Sequence, residues 1–163
     1  MKCKKILVAV DASDNAMRAV HYTGEIVGDR PEFLIELLTI ERLPARDLFP
    51  DEAAWKTACE NTRAELRIFQ DKAAFALQET GVPGQTITKR YITSCHSPLT
   101  GDATQCSPGT SIAQEILQEV KNGDFGTVVI GRRGVSKAEE FLFGSVSTKI
   151  IHYARGCAVW VVE

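Results

Sequence analysis

Ile6-Leu7-Val8-Ala9-Val10 is an unbroken apolar run, rich in β-branched residues, that stops abruptly at Asp11. A strand with one wet face alternates apolar and polar residues. A run without alternation marks a strand covered on both faces, which calls for a parallel sheet between two layers of helices.

The rest of the chain supplies those layers. Ser13 is placed to cap a helix whose Ala16, Ala19, Val20, Thr23 and Val27 fall on one face, and Gly28 stands where it would end. Phe33 to Ile40 repeats the strand signal, and Leu43-Pro44 and Phe49-Pro50 then mark a loop. From Asp51 to Thr80 the positions Ala54, Ala58, Leu66, Phe69, Ala73 and Leu77 predict the longest helix, closed by Gly81 and Pro83. Thr86 to Ile92 reads as a third strand. Thr93 to Gly109 has no apolar period and reads as an exposed loop insertion. A helix capped by Ser111, with Ile112, Ile116, Leu117 and Val120 inward, precedes a short strand at Thr127 to Ile130. Gly144 and Ser145 open a last helix bearing Val146, Ile150 and Ala154, and Ala158 to Val162 forms a fifth strand. Strands alternate with helices, so the expected fold is α/β: one domain over residues 1–163, a doubly wound five-stranded parallel sheet with helices on both faces.

Composition narrows the function. A formal net charge of -2 lacks the broad cationic field of a binder of nucleic acid or an anionic membrane. The apolar stretch after Lys4-Lys5 is too short for a secretory signal, and no later run would cross a bilayer. Five cysteines, an odd number at irregular spacing, fit free thiols in a reducing compartment, and the expected location is the cytoplasm.

The residues richest in chemistry follow the fourth strand. Gly131-Arg132-Arg133-Gly134 is separated by nine residues from Gly144-Ser145-Val146-Ser147, the pattern G-x2-G-x9-G-S. Glycines leaving a strand let backbone come close to a ligand, and free N–H groups at a helix start attract phosphate oxygens. Ser145 and Ser147 can add hydroxyl donors. Arg132 and Arg133 can pair with a phosphate or stand as solvated loop charges. Lys149 is expected to face water.

Other chemistries find less support. There is no G-x4-G-K-[ST], and no glycine-rich turn follows strand one, which argues against a P-loop NTPase and a dinucleotide dehydrogenase. Cys95, His96 and Cys106 could be soft metal ligands or a redox pair, but lack close C-x2-C spacing and read first as loose thiols. Cys3, Cys59 and Cys157 read as packing positions. His21 and His152 have no nucleophile near them in sequence, and no catalytic triad is recognisable.

The gap-free G-x2-G-x9-G-S pattern, the opening Ile6 to Ser13 and the closing Cys157 to Val162 together resemble the universal stress protein family, in its nucleotide-binding branch. The resemblance implies strand order 3-2-1-4-5, with the switch point between the ends of strands one and four. It implies that Ala9, Val10 and Asp11 line the adenosine, that Ile40 and Ile130 meet the adenine, and that Gly131, Arg132, Arg133, Gly134, Gly144, Ser145, Val146 and Ser147 hold ribose and phosphates. The cofactor would be ATP or another adenine nucleotide, with Mg²⁺. It also implies a homodimer in which the fifth strands, residues 158–162, meet at a sheet edge, and a regulatory role in stress toward a protein partner of unknown identity. Glu139 and Glu140 in the spacer could approach a γ-phosphate but nothing fixes them there, so binding without efficient turnover is expected. The alternatives are a slow ATPase or phosphotransferase, and a nucleotide-independent adaptor.

Overall fold

In a computed structural model the structure describes residues 2–99, 105–133 and 143–163, and the side chains from residue 4 onward within them. β1 (Lys2–Ala9) lies at the centre of the sheet and pairs in parallel with β2 (Leu34–Ile40) on one side and β4 (Phe125–Gly131) on the other. β3 (Ile87–Ile92) extends the sheet beyond β2, and β5 (Ala158–Val162) extends it beyond β4. The order is β3-β2-β1-β4-β5, as the resemblance implies, and every pairing is parallel.

The two-sided burial inferred from the apolar run holds residue by residue. Ile6 and Val8 enter the core beneath α1 (Asp14–Val27) and α2 (Glu52–Glu79), while Leu7 enters the opposite core beneath α3 (Ile112–Asn122) and α4 (Ser145–Tyr153). Each such side chain contributes about 1.5–3 kcal/mol by leaving water. Ser13 caps α1 by accepting from the Ala16 N–H at 3.1 Å. In α2 the buried stripe is Cys59, Leu66, Gln70, Ala73, Ala76 and Leu77. Buried Gln70 is satisfied by donating to the carbonyls of Leu37 (3.2 Å) and Arg90 (2.8 Å), which ties α2 to β2 and β3.

The expectation of a wholly exposed 93–109 loop with loose thiols is corrected. Cys95 and Cys106 are joined in a disulfide, so while bonded neither can be a metal ligand. Beside it, Cys95 N–H donates to the Ser107 carbonyl at 2.8 Å and Ser107 N–H to the Thr93 carbonyl at 2.7 Å, and Ser94, Ser97 and Ser107 are buried. The anchor is polar, which is why no apolar period announced it. Glu41, directly after β2, accepts from the Ser94 amide at 2.9 Å, and Arg63 of α2 donates to Ser97 Oγ (3.0 Å) and the Leu99 carbonyl (3.2 Å). Residues 100–104 lie outside the described part. Cys59 and Cys157 are free thiols whose burial pushes both above the ordinary thiol value, consistent with packing roles.

Candidate functional site

The strand order makes the chain leave the sheet in opposite directions after β1 and β4, and a cleft opens between their carboxyl ends. Its floor is apolar, with Leu38, Ile40, Ile112, Ile116 and Ile130, and its rim is polar, with Asp11, Arg42, Arg133, Gly144 and Ser145. Ala9, Val10, Asp11, Ile40, Ile130, Gly131, Arg133, Gly144, Ser145, Val146 and Ser147 all line this one space. Gly134 and the spacer residues 135–142, including Glu139 and Glu140, lie outside the described residues.

The turn after β1 is built by short polar bonds. Asp11 Oδ1 accepts from the Ser13 hydroxyl at 2.6 Å and from its N–H at 3.3 Å, which steadies the residue that caps α1. Ala12 between them takes φ 62°, a left-handed conformation that costs a non-glycine residue about 1 kcal/mol. The carboxylate therefore faces the cleft from a tightly specified turn.

Across the cleft the two glycine segments are fastened directly to each other. The Arg132 carbonyl accepts from the Gly144 N–H at 3.0 Å and from the Ser147 hydroxyl at 2.7 Å. The Ser147 hydroxyl also lies 3.0 Å from the Gly144 carbonyl and is buried. Its hydrogen is engaged with backbone, so the expectation that it donates to a phosphate is corrected: Ser147 braces the start of α4. Ser145, by contrast, is exposed in the cleft. The N–H groups of Ser145, Val146 and Ser147, in the first turn of α4, have no acceptor within the helix. They form the anion-attracting end that the sequence pattern implied.

The two glycines serve different needs. A Cβ on Gly131 would stand 2.8 Å from the Asn15 carbonyl carbon and 3.0 Å from the Ala16 N, so the close approach of α1 to β4 requires glycine there. Among the described residues a Cβ on Gly144 would meet nothing nearer than 3.5 Å, and its φ of -68° suits any residue. Nothing in the packing of the described residues demands glycine at 144.

The two arginines also part ways. Arg132 turns from the cleft and pairs with Glu163 beyond β5, which corrects its expected place among the ligand-facing groups. Arg133 lines the cleft, and its Nε is buried without a hydrogen-bond partner among the described residues. Sequence reasoning missed Ala16, Leu38, Arg42, Ile112 and Ile116. Ile112 and Ile116 were recognised as an inward stripe, but part of that stripe borders the cleft. For Arg42 the available signal was position, a charged residue just past the carboxyl end of an inner strand.

Among the described residues no three His, Cys, Asp or Glu side chains gather as a metal site, and no helix is long and apolar enough to cross a membrane.

Comparison with known proteins follows the same lines. The model of the universal stress protein family matches residues 109–163. The universal stress protein Sll1388 of Synechocystis is 30% identical over 82 residues, a match covering 48% of this chain and 53% of that protein, so the chain aligns with about half of this relative's length. A universal stress protein solved in complex with cAMP superposes with TM-score 0.59 at 19% identity, covering 98% of this chain and 96% of that one. A universal stress protein from Archaeoglobus fulgidus, solved in complex with dAMP, superposes with TM-score 0.61 at 18% identity over the whole of both chains. At these identities the structural likenesses speak for the fold. The family match covers the segment from α3 to β5 that carries Gly131 and Gly144, and over the rest of the chain the likeness to universal stress proteins is one of fold.

Proposed function

We propose that this protein binds an adenine nucleotide, ATP with Mg²⁺, in the cleft between β1 and β4, and works in the cytoplasm as a stress-response regulatory module that pairs with itself through β5. The observation that carries the reading is the convergence, at the switch point of the sheet, of two segments over 100 residues apart. Ala9 to Asp11 on one side, and Gly131, Arg133 and Gly144 to Ser147 on the other, border one apolar slot and one anion-attracting helix start. The slot suits a planar base, and the helix start with Arg133 suits phosphate. Gly144 adds weight, because among the described residues no packing contact requires a glycine there. Two proteins of the same fold were solved with cAMP and with dAMP, which supports adenine as the base.

For Mg²⁺, the cleft offers the Asp11 carboxylate and the Ser145 hydroxyl as oxygen donors beside bound phosphates, a fitting set for a cation that keeps most of its ligands as water and phosphate. Asp11 is the sole carboxylate among the described residues of the lining and is engaged with Ser13, which favours binding over efficient hydrolysis. The dimer reading draws on β5, which among the described residues pairs on one side only, with β4, and so offers its other edge for pairing. A dilution series in sedimentation velocity tests it, and a monomer at every concentration would refute it.

The nucleotide reading is tested by calorimetric titration with ATP and Mg²⁺ of the wild type and of Gly144→Leu, whose side chain would occupy the cradle. Binding in the wild type and none in a folded variant is the expected result. Phosphate release abolished by the same substitution would reveal a slow ATPase, and absence of binding by the nucleotide-free wild type would leave a nucleotide-independent adaptor.

A further inference from the structure

Beside the cleft lies a smaller recess with different chemistry. Arg42, Thr110, Ser111, Ser145 and Lys149 are among its walls, and it meets the main cleft at Arg42 and Ser145. The main cleft has an apolar floor, whereas the recess carries two cations and no Asp or Glu among its described lining residues. Lys149 is exposed, as the sequence placed it, and it stands on this wall.

Among the described residues neither cation is neutralised. Arg42 and Lys149 have no ion-pair or hydrogen-bond partner among the described residues. The carboxylate adjacent to Arg42 in sequence, Glu41, is already taken by Arg63, Tyr91 and the Ser94 amide in the interior. Ser111, at the start of α3, adds a hydroxyl that makes no capping bond, and its Oγ is buried without a partner among the described residues. The starts of α3 and α4, both regular helices, border the same recess through Ser111 and Ser145, so their positive ends add to the two side-chain charges. Like charges around a recess that opens into a ligand cleft form an arrangement that an anionic group relieves.

We propose that this recess seats a second anionic group of the ligand, a phosphate beyond the one held at the Gly131–Gly144 cradle, with Arg42 and Lys149 as its binding residues. The inference rests on the nucleotide reading and deepens it by assigning Arg42 and Lys149 to a phosphate that the cradle does not hold. Two ligand chemistries carry such a group, a longer chain on the 5′ oxygen or a separate phosphate on the 3′ oxygen, and the test distinguishes them.

The experiment is calorimetric titration of the whole chain with 5′-AMP, with ATP and with adenosine 3′,5′-bisphosphate, for the wild type, Lys149→Gln and Arg42→Gln. The readout is the ratio of each ligand's affinity to that of 5′-AMP in the same protein, so a change in 5′-AMP binding itself does not confuse it. Both side chains are exposed and unpartnered, so the variants should melt with the wild type. The expected result is a wild-type ratio of at least about tenfold for one of the two richer ligands, falling below about threefold in each variant. A gain with ATP places the group along the 5′ chain, and a gain with the bisphosphate places it at the 3′ oxygen. Equal affinity of the wild type for all three ligands, or a ratio that survives both substitutions, overturns the recess while leaving the nucleotide reading intact. A wild type that binds none of the three overturns both.

Discussion

Arg63 grips Glu41 with two hydrogen bonds, Nε to Oε1 at 2.8 Å and Nη2 to Oε2 at 3.2 Å, at a point where Glu41 is only 2% exposed. The same carboxylate accepts from the Tyr91 hydroxyl at 3.0 Å and the Ser94 amide at 2.9 Å. One buried charge thus joins the end of β2, the middle of α2, β3 and the root of the 93–109 loop. Glu41 also sits between Ile40 and Arg42, both of which line the cleft, so this network sets where that wall of the cleft stands.

Removing the guanidinium alone would leave a carboxylate out of water with only part of its compensation. Arg63→Ala should therefore destabilise the protein by about 3 kcal/mol in urea unfolding. Arg63→Lys should recover little of this, since an ammonium cannot reproduce the paired geometry. A loss below about 1 kcal/mol would mean that the pair behaves as a solvated surface bridge.

Acid titration should separate buried Glu41 from half-buried Glu36, whose shifts have opposite sign. Burial pushes Glu41 upward, but the bonds from Arg63, Ser94 and Tyr91 outweigh it and hold the group below its ordinary 4.5. Its stabilising contribution is present above pH 4.5 and is lost as pH falls through the depressed value. Glu36 is raised by burial, against the pull of Arg90 and Lys5, and its Oε1 has no hydrogen-bond partner among the described residues. Its contribution is fully present below pH 4.5 and is lost as pH rises through the raised value. Glu36→Gln should thus raise stability at neutral pH and flatten the curve above pH 4.5, while the acid-side loss due to Glu41 remains. Urea midpoints between about pH 3 and about pH 8 measure it, and an unchanged neutral-side slope would count against the assignment of Glu36.

These contrasts show what kind of information the sequence carries. β1 was legible because burial on two faces writes itself into consecutive apolar residues, and α1 because Ser13 and Gly28 mark its ends. The cradle was legible because its two halves have a fixed spacing, although the chain between them is long. The Arg63–Glu41 pair was not, because its partners stand 22 residues apart on elements whose facing is decided only by packing. The Cys95–Cys106 bond was missed for a related reason: counting cysteines does not say which two are brought together, and here the polar root of the loop does it. Arg132 and Ser147 fit the motif by position, yet their side chains turn to Glu163 and to the Arg132 carbonyl, directions that a spacing does not encode.

The disulfide predicts a thiol count. Denatured in the absence of reductant, the chain should offer three reactive thiols, the five cysteines less the bonded two, and after reduction five. The replacement of both Cys95 and Cys106 by Ser should lower stability by up to about 3 kcal/mol on a loop-entropy estimate. The loss should fall short of that, because the bonds between Cys95, Thr93 and Ser107 already close the same neck. Amide exchange in the variant should rise near residues 93–109 and stay unchanged in β1 and β4. Five reactive thiols before reduction would refute the pairing.

Gly131 and Gly144 belong to one motif but should answer substitution in opposite ways. Gly131→Ala forces a Cβ into the backbone of Asn15 and Ala16, where neither rigid neighbour can yield cheaply, so α1 must shift from β4. A destabilisation of about 1–3 kcal/mol is expected from overpacking at such a contact. Gly144→Ala meets only ordinary contacts and keeps a permitted φ, so its stability should change by less than about 0.5 kcal/mol. If the cradle accepts a phosphate there, Gly144→Ala should weaken nucleotide binding despite its native stability, and Gly144→Leu should abolish it. Thermal unfolding and calorimetry on the three variants separate packing from binding. A Gly144→Leu protein that melts like the wild type and still binds ATP normally would remove residue 144 from the site, whereas intact stability with lost binding would make the space above Gly144 the seat of the ligand.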